Sequence, residues 1–127
     1  MFVIDYFNWA LMGDLTFDPA QFPDPKGMVE HLRANNTEIM VSTWPFSSNG
    51  SATHDGLVDQ GLAVFTGPDN HNSVAWDDSV CVQNCVLYDP SNPETRKFWW
   101  QYVKKGYADY GIKVKNMITA SIRSDSP

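Results

Sequence analysis

Two places in this 127-residue chain set a carboxylate or an indole within three residues of the end of a short apolar run. Phe2-Val3-Ile4 leads at once into Asp5, followed by Tyr6, Phe7, Asn8 and Trp9. Ile39-Met40-Val41 leads to Thr43-Trp44-Pro45-Phe46. A carboxylate can accept hydrogen bonds from two vicinal hydroxyls, and charge-assisted bonds of this kind are the strong ones. An aromatic face packs on the apolar C–H face of a pyranose while its edge excludes water. Asp and Trp on adjacent strand ends therefore have the chemistry of a monosaccharide pocket. A capping Asp and a core Trp would look the same, and spacing alone leaves both readings open.

Other chemistries find less support. The two cysteines, Cys81 and Cys85, stand in a polar loop as C-x3-C and read as loop thiols or one local bridge. Zinc would need more ligands, and His31, His54 and His71 are scattered without metal spacing. The formal net charge of −6 argues against nucleic acid or an anionic membrane, both of which reward clustered Lys and Arg. Lys104-Lys105 reads as a solvated helix face. The apolar runs fall far short of the ~18–20 residues of a membrane span. Asp5 interrupts the apolar start and no basic residue precedes it, so no signal-peptide pattern is seen. The sequons at Asn35 and Asn49 permit a secretory route, which leaves the compartment open to secreted and intracellular readings alike. Five Trp, five Tyr and seven Phe are many for this length, and several stand beside Asp or Pro instead of on a helical stripe. That placement suggests a binding surface.

The elements that must position these residues alternate. Asp24 offers an N-cap and Pro25 the favoured first helical position, predicting a helix to about Asn35 that buries Met28, Val29 and Leu32. Ile39–Val41 reads as a second buried strand. A long excursion from Phe46 to about Val86 is dense in Ser, Asn, Asp and Gly, with helix near Asp55–Gln60 and strand near Leu62–Phe65. Val86-Leu87-Tyr88 is an extended segment. Asn92 and Pro93 start a strong helix to about Tyr110, with Phe98, Trp99, Tyr102, Val103 and Tyr110 on its apolar side. Gly111 suits a C′ position, and Ile112-Lys113-Val114 begins a third strand. The order of strand, helix, strand, insertion, helix, strand implies parallel β-α units and an α/β fold. No internal repeat is present. In a parallel barrel the ligand site lies at the C-terminal strand ends, where Asp5 and Trp44 would meet.

The runs IDYFNW, MGDLTFDPAQFPDPKGMVEHLRANNTEIMVSTWP and LYDPSNPETRKFWWQYVKKGYADYGIKV resemble the catalytic barrel of glycoside hydrolase family 31, which includes retaining α-glucosidases and α-xylosidases. The motifs F-D-P-x-x-F-P-D-P, V-S-x-W-P and Y-D-x-[ST]-N-P carry the resemblance in combination and order. It covers nearly all of residues 2–114, with the middle loop poorly matched. The implied fold is a fragment of a (β/α)8 TIM barrel, about three strands and two main helices plus a long inserted loop. The resemblance implies that Asp5 binds hydroxyls of the sugar in the −1 subsite and that Trp44 lines it. It puts Trp76 where another pocket aromatic occurs, and Trp9 either at the rim or in the core. Phe17, Phe22 and the pairs Asp18-Pro19 and Asp24-Pro25 read as structural, Asp89 and Asn92 as turn and cap residues, and Trp99 and Trp100 as helix packing. Family members need no metal or organic cofactor, and the W-P ending of the second strand looks closer to the α-xylosidase branch.

The pattern then breaks. Family members continue from G-I-K-[LV] into a strand resembling F-W-L-D-E, whose Asp is the nucleophile. Retaining hydrolysis needs that carboxylate and a second one ~5 Å away. Here the slot falls on Ile118, followed by Thr119, and the acid/base residue belongs to a later barrel segment. Asp125 lies seven residues on in a Ser-rich tail and is no substitute by spacing. Lys115 and Asn116 stand where a barrel strand should be apolar on both faces. Residues 1–114 are thus read as a partial catalytic barrel. Residues 115–127 are read as a non-matching tail arising from a frameshift, a retained intron or a truncated gene model. A full barrel takes ~250 residues, so the chain lacks the remainder of the barrel as its partner. With strand edges unpaired, the chain alone is expected to fold poorly or aggregate. Two functional readings stand: part of a retaining α-glycoside hydrolase, inactive alone, or a non-catalytic carbohydrate-binding remnant. Sequencing the encoding DNA in all frames around the Val114 codon is expected to reveal an F-W-L-D-E-like segment. Finding none would mark a diverged protein with a genuine tail.

Overall fold

The computed structural model describes residues 1–64 and 85–112. Its first unit is β1 (Phe2–Ile4), α1 (Pro25–Ala34) and β2 (Ile39–Val41), with β1 and β2 paired in parallel. The register sets Phe2 against Ile39, Val3 against Met40 and Ile4 against Val41. Glu38 O and Ile4 O accept from Phe2 N and Ser42 N, at 2.7 and 3.1 Å, and extend the ladder at both ends. α1 starts where the sequence places it, because Asp24 Oδ1 accepts from Gly27 N at 2.9 Å and Pro25 needs no N–H partner at the first position. Val29 is buried, with Met28 and Leu32 packed beside it, as the apolar spacing requires. Asn35 closes the helix, its side-chain amide donating to His31 O at 2.9 Å.

The excursion is more regular than the sequence suggests. β3 (Phe46–Ser47) and β4 (Ala63–Val64) both pair antiparallel with β5 (Val86–Tyr88), in the order β3-β5-β4. A short helix, α2 (His54–Asp59), lies between β3 and β4, matching the expected helical stretch to within one residue at each end. β4 and β5 fall on the strand expected near Leu62–Phe65 and on the extended Val86–Tyr88, whereas β3 and the antiparallel pairing join segments distant in sequence and have no local signal.

α3 (Pro93–Gly106) begins with Asn92 Oδ1 accepting from Glu94 N at 2.9 Å. It ends four residues before Tyr110, and a 3-10 turn over Ala108–Tyr110 completes the expected span. Gly111 then adopts φ 87°, the left-handed conformation glycine tolerates best. The third strand expected at Ile112–Val114 lies outside the described residues beyond Ile112, which is buried. No closed barrel is present among the described residues, which contain one parallel strand pair.

One core joins these parts. Trp99, fully buried, stacks on Tyr88 with ring centroids 4.5 Å apart and planes 21° apart. Phe98, Val103 and Tyr107 from the α3 region meet Leu15, Phe17, Val29, Ile39, Val41 and Leu57. Trp100 departs from the sequence reading: it is exposed at 37%. Successive residues of an α-helix point ~100° apart, and with Phe98 and Trp99 taking the buried arc the next position turns toward solvent. Gly106 permits the close approach of α3 to the loop before α1: a Cβ there would lie 1.8 Å from Leu15 O. Gly106→Ala is therefore expected to cost roughly 3 kcal/mol or more by overpacking, read as a lowered midpoint of urea unfolding.

Candidate functional site

The parallel register brings two strand ends level. Asp5 follows β1 directly and Ser42 follows β2 directly. Ser42 Oγ donates to Asp5 Oδ1 at 2.5 Å, and Tyr6 N donates to the same oxygen at 3.0 Å. Asp5 remains exposed to solvent while this carboxylate oxygen is fixed from two sides. The next side chain, Tyr6, meets three aromatic neighbours edge-on. Its ring centroid lies 5.1 Å from that of Trp44, 5.8 Å from Trp9 and 4.2 Å from Phe7. Trp9, Met12 and Phe46 form a small buried cluster against which Tyr6, the half-buried Trp44 and Leu87 pack.

The structure thus brings Asp5, Trp44 and Trp9 to one end of the parallel pair, linked through Tyr6. Trp9 takes the core position of the two left open for it, at 8% exposure. Trp76 and Ile118 lie outside the described residues, as do Cys81, His71, Thr119 and Asp125. Two clefts between the described residues lie along α1 and α3, and neither is lined by Asp5 or Trp44. Among the described residues no group of three or more His, Cys, Asp and Glu could hold a metal ion.

Several residues that shape this end of the molecule were not singled out from sequence. Phe7 is exposed at 59% and holds φ 60°, a conformation costly for a bulky side chain. Its carbonyl accepts from Gln21 Nε2 at 3.2 Å, and the next carbonyl, of Asn8, accepts from Asp18 N at 2.8 Å. The buried Asn8 side chain accepts the Tyr107 hydroxyl at 2.7 Å. Asp14 accepts from Leu11 N at 2.8 Å and from Ala52 N at 3.0 Å, binding the loop after β1 to the loop after β3. Thr53 Oγ1 donates to Gly13 O at 2.8 Å, and Ser48 N donates to Met12 O at 2.8 Å, closing the same junction. The bonds of Asn8 with Tyr107, Asp14 with Ala52, Gly13 with Thr53 and Met12 with Ser48 span 36 to 99 residues, so no local pattern announces them. The one available signal is the density of Asn, Asp, Ser and Thr around the aromatic residues.

The residues read as structural behave as such. Phe17 packs on Phe22 at 4.8 Å and on Tyr107 at 5.1 Å. Asp18 Oδ1 accepts from Ala20 N in a turn. Asp89 Oδ1 accepts from both Ser91 Oγ and Ser91 N, which hold its carboxyl below the usual carboxylate range. Cys85 is buried in a disulfide, one of the two states left open for it, with Sγ 3.4 Å from Ser48 Oγ.

Residues 1–118 match the glycosyl hydrolases family 31 TIM-barrel domain. The chain belongs to glycoside hydrolase family 31. Over 112 residues, 88% of this chain and 20% of the relative, it is 38% identical to an uncharacterized family 31 glucosidase of Pseudescherichia vulneris. Over 114 residues, 89% of this chain and 15% of the relative, it is 36% identical to alpha-xylosidase A of Aspergillus niger. A solved family 31 alpha-xylosidase from a soil metagenome, complexed with xylose, superposes with a TM-score of 0.78 at 31% identity, covering 91% of this chain and 16% of that one. This family 31 chain therefore spans a fifth or less of these relatives, and its fold fits a fragment of their barrel.

Burial, then the negative charge of Asp14, keeps the Tyr107 hydroxyl protonated well above the ordinary tyrosine range. The folded state thus holds a proton that the unfolded chain releases near pH ~10, so stability is full below that pH and falls as pH rises past it. Tyr107→Phe leaves Asn8 Oδ1 without this donor and is expected to cost about 1–3 kcal/mol at neutral pH. Its stability should also fall less steeply than wild type between pH 9 and 11. Urea midpoints across that range test both effects.

Proposed function

We propose that this chain supplies part of the −1 sugar subsite of a retaining α-glycoside hydrolase acting on α-xylosides or α-glucosides, and that it is catalytically inactive alone. One observation carries the reading: an exposed carboxylate fixed by Ser42 stands beside an aromatic cluster at the C-terminal ends of two parallel strands. Asp5 is the acceptor for sugar hydroxyls. Trp44 is the apolar wall, braced by Tyr6, with Trp9 behind it in the cluster. Trp76 is proposed as a further aromatic of the same pocket from its place in the sequence.

Inactivity follows from the residue at the nucleophile position. Ile118 cannot attack an anomeric carbon. The α-xyloside preference is supported by the relatives, two of which are α-xylosidases at 36% and 31% identity. The expected aggregation of the chain alone is supported by β1, which pairs only with β2 among the described residues while Phe2 and Val3 are 52% and 40% exposed.

The expected result with p-nitrophenyl α-xyloside and α-glucoside is no nitrophenol release above buffer. Turnover that disappears in Asp5→Ala would overturn the inactivity. The second reading, a non-catalytic binding remnant, is favoured by the prearranged Asp5 carboxylate, whose two named bonds both fall on Oδ1. It requires calorimetric heat with xylose, glucose or isoprimeverose that is lost in Asp5→Ala.

A further inference from the structure

A cleft of about 890 Å³ runs along α3, between that helix, α2 and the loop at Asp14–Thr16. It is separate from the strand-end residues, because neither Asp5 nor Trp44 lines it. Its size is that of a small-molecule site. Phe98 and Tyr102 lie in the cleft with ring centroids 5.1 Å apart, and Tyr110 adds a third ring.

The charges lining it cancel. Asp14 and Glu94 are opposed by Lys97 and Lys105, and they are already engaged in part. Glu94 pairs with Lys97 at 2.7 Å, and both Asp14 oxygens accept backbone N–H groups. An anionic or cationic ligand would find no net field here. A wholly apolar one would cover the amides of Gln60 and Gln101, which also line the cleft, without replacing their bonds to water. What fits is a neutral ligand with both C–H faces and hydroxyls. We infer that this cleft is a second carbohydrate-binding site, taking a neutral di- or trisaccharide stacked on Tyr102 and hydrogen-bonded by Gln101 and Gln60. The inference stands independently of the strand-end subsite, since it uses none of the same side chains.

Calorimetric titration of the full chain with isoprimeverose, maltotriose and cellotriose tests it. At least one should bind with a Kd on the order of 1 mM. Measured in the Asp5→Ala background, where the strand-end subsite no longer contributes, Tyr102→Ala should weaken that binding at least fivefold and Gln101→Ala about threefold. Gln101 is exposed, so its substitution keeps the test valid if Tyr102→Ala perturbs folding. Absence of heat with all three sugars would overturn the site. So would binding that Asp5→Ala abolishes while Gln101→Ala retains it, which would place the sugar at the strand ends instead. Glucose 6-phosphate binding tenfold tighter than glucose would overturn the neutral-ligand assignment. Equal affinity would support it.

Discussion

The parallel ladder between β1 and β2 is the constraint on which the cluster of Asp5, Ser42, Tyr6 and Trp44 depends. Two strands joined by a helical crossover must run the same way, so both finish at the same end. The ladder continues one step beyond the strands through Ser42 N and Ile4 O. That step sets Ser42 beside Asp5, and the hydroxyl–carboxylate bond follows from the register. A slip by one residue would turn Ile4 and Val41 away from the core and carry Asp5 out of reach of Ser42. The hydrophobic pattern of the strands therefore positions the polar chemistry.

Behind that end, buried polar side chains do what a short strand pair cannot. Asn8, Thr53 and Tyr107 bind loops that are distant in sequence, and their bonds satisfy groups that burial would otherwise penalise, while the half-buried Asp14 adds a further tie at the edge. The Trp9–Met12–Phe46 cluster lies at this junction, so the aromatic wall and the hydrogen-bonded loops support one another. Separating their contributions would require paired substitutions, because effects within such a network do not add.

Much of the scaffold was legible because its signals are local. Asp24 with Pro25 and Asn92 with Pro93 announce helix starts through chemistry contained within a few residues, and both capping bonds form. Asp5 and Trp44 were legible as residue types following apolar runs, and family membership confirms the barrel context of those runs. The segments of β4 and β5 were legible too, but β3 and the antiparallel pairing were not, because their partners lie far apart in sequence. Asn8 was missed since its partner is 99 residues away. Trp99 and Trp100 were read alike, and the rotation between neighbouring helical positions leaves Trp100 the more exposed of the two.

The turn at Phe7 has an energetic consequence of its own. A phenylalanine at φ 60° resists a backbone shape that glycine would adopt freely, and burial does not compensate, since the ring stands mostly in solvent. The neighbouring bonds from Gln21 and Asp18 must supply the restoring force. Selection for thermal endurance alone would thus tend to erase that ring, moving the molecule toward a sturdier form with a plainer surface next to Asp5.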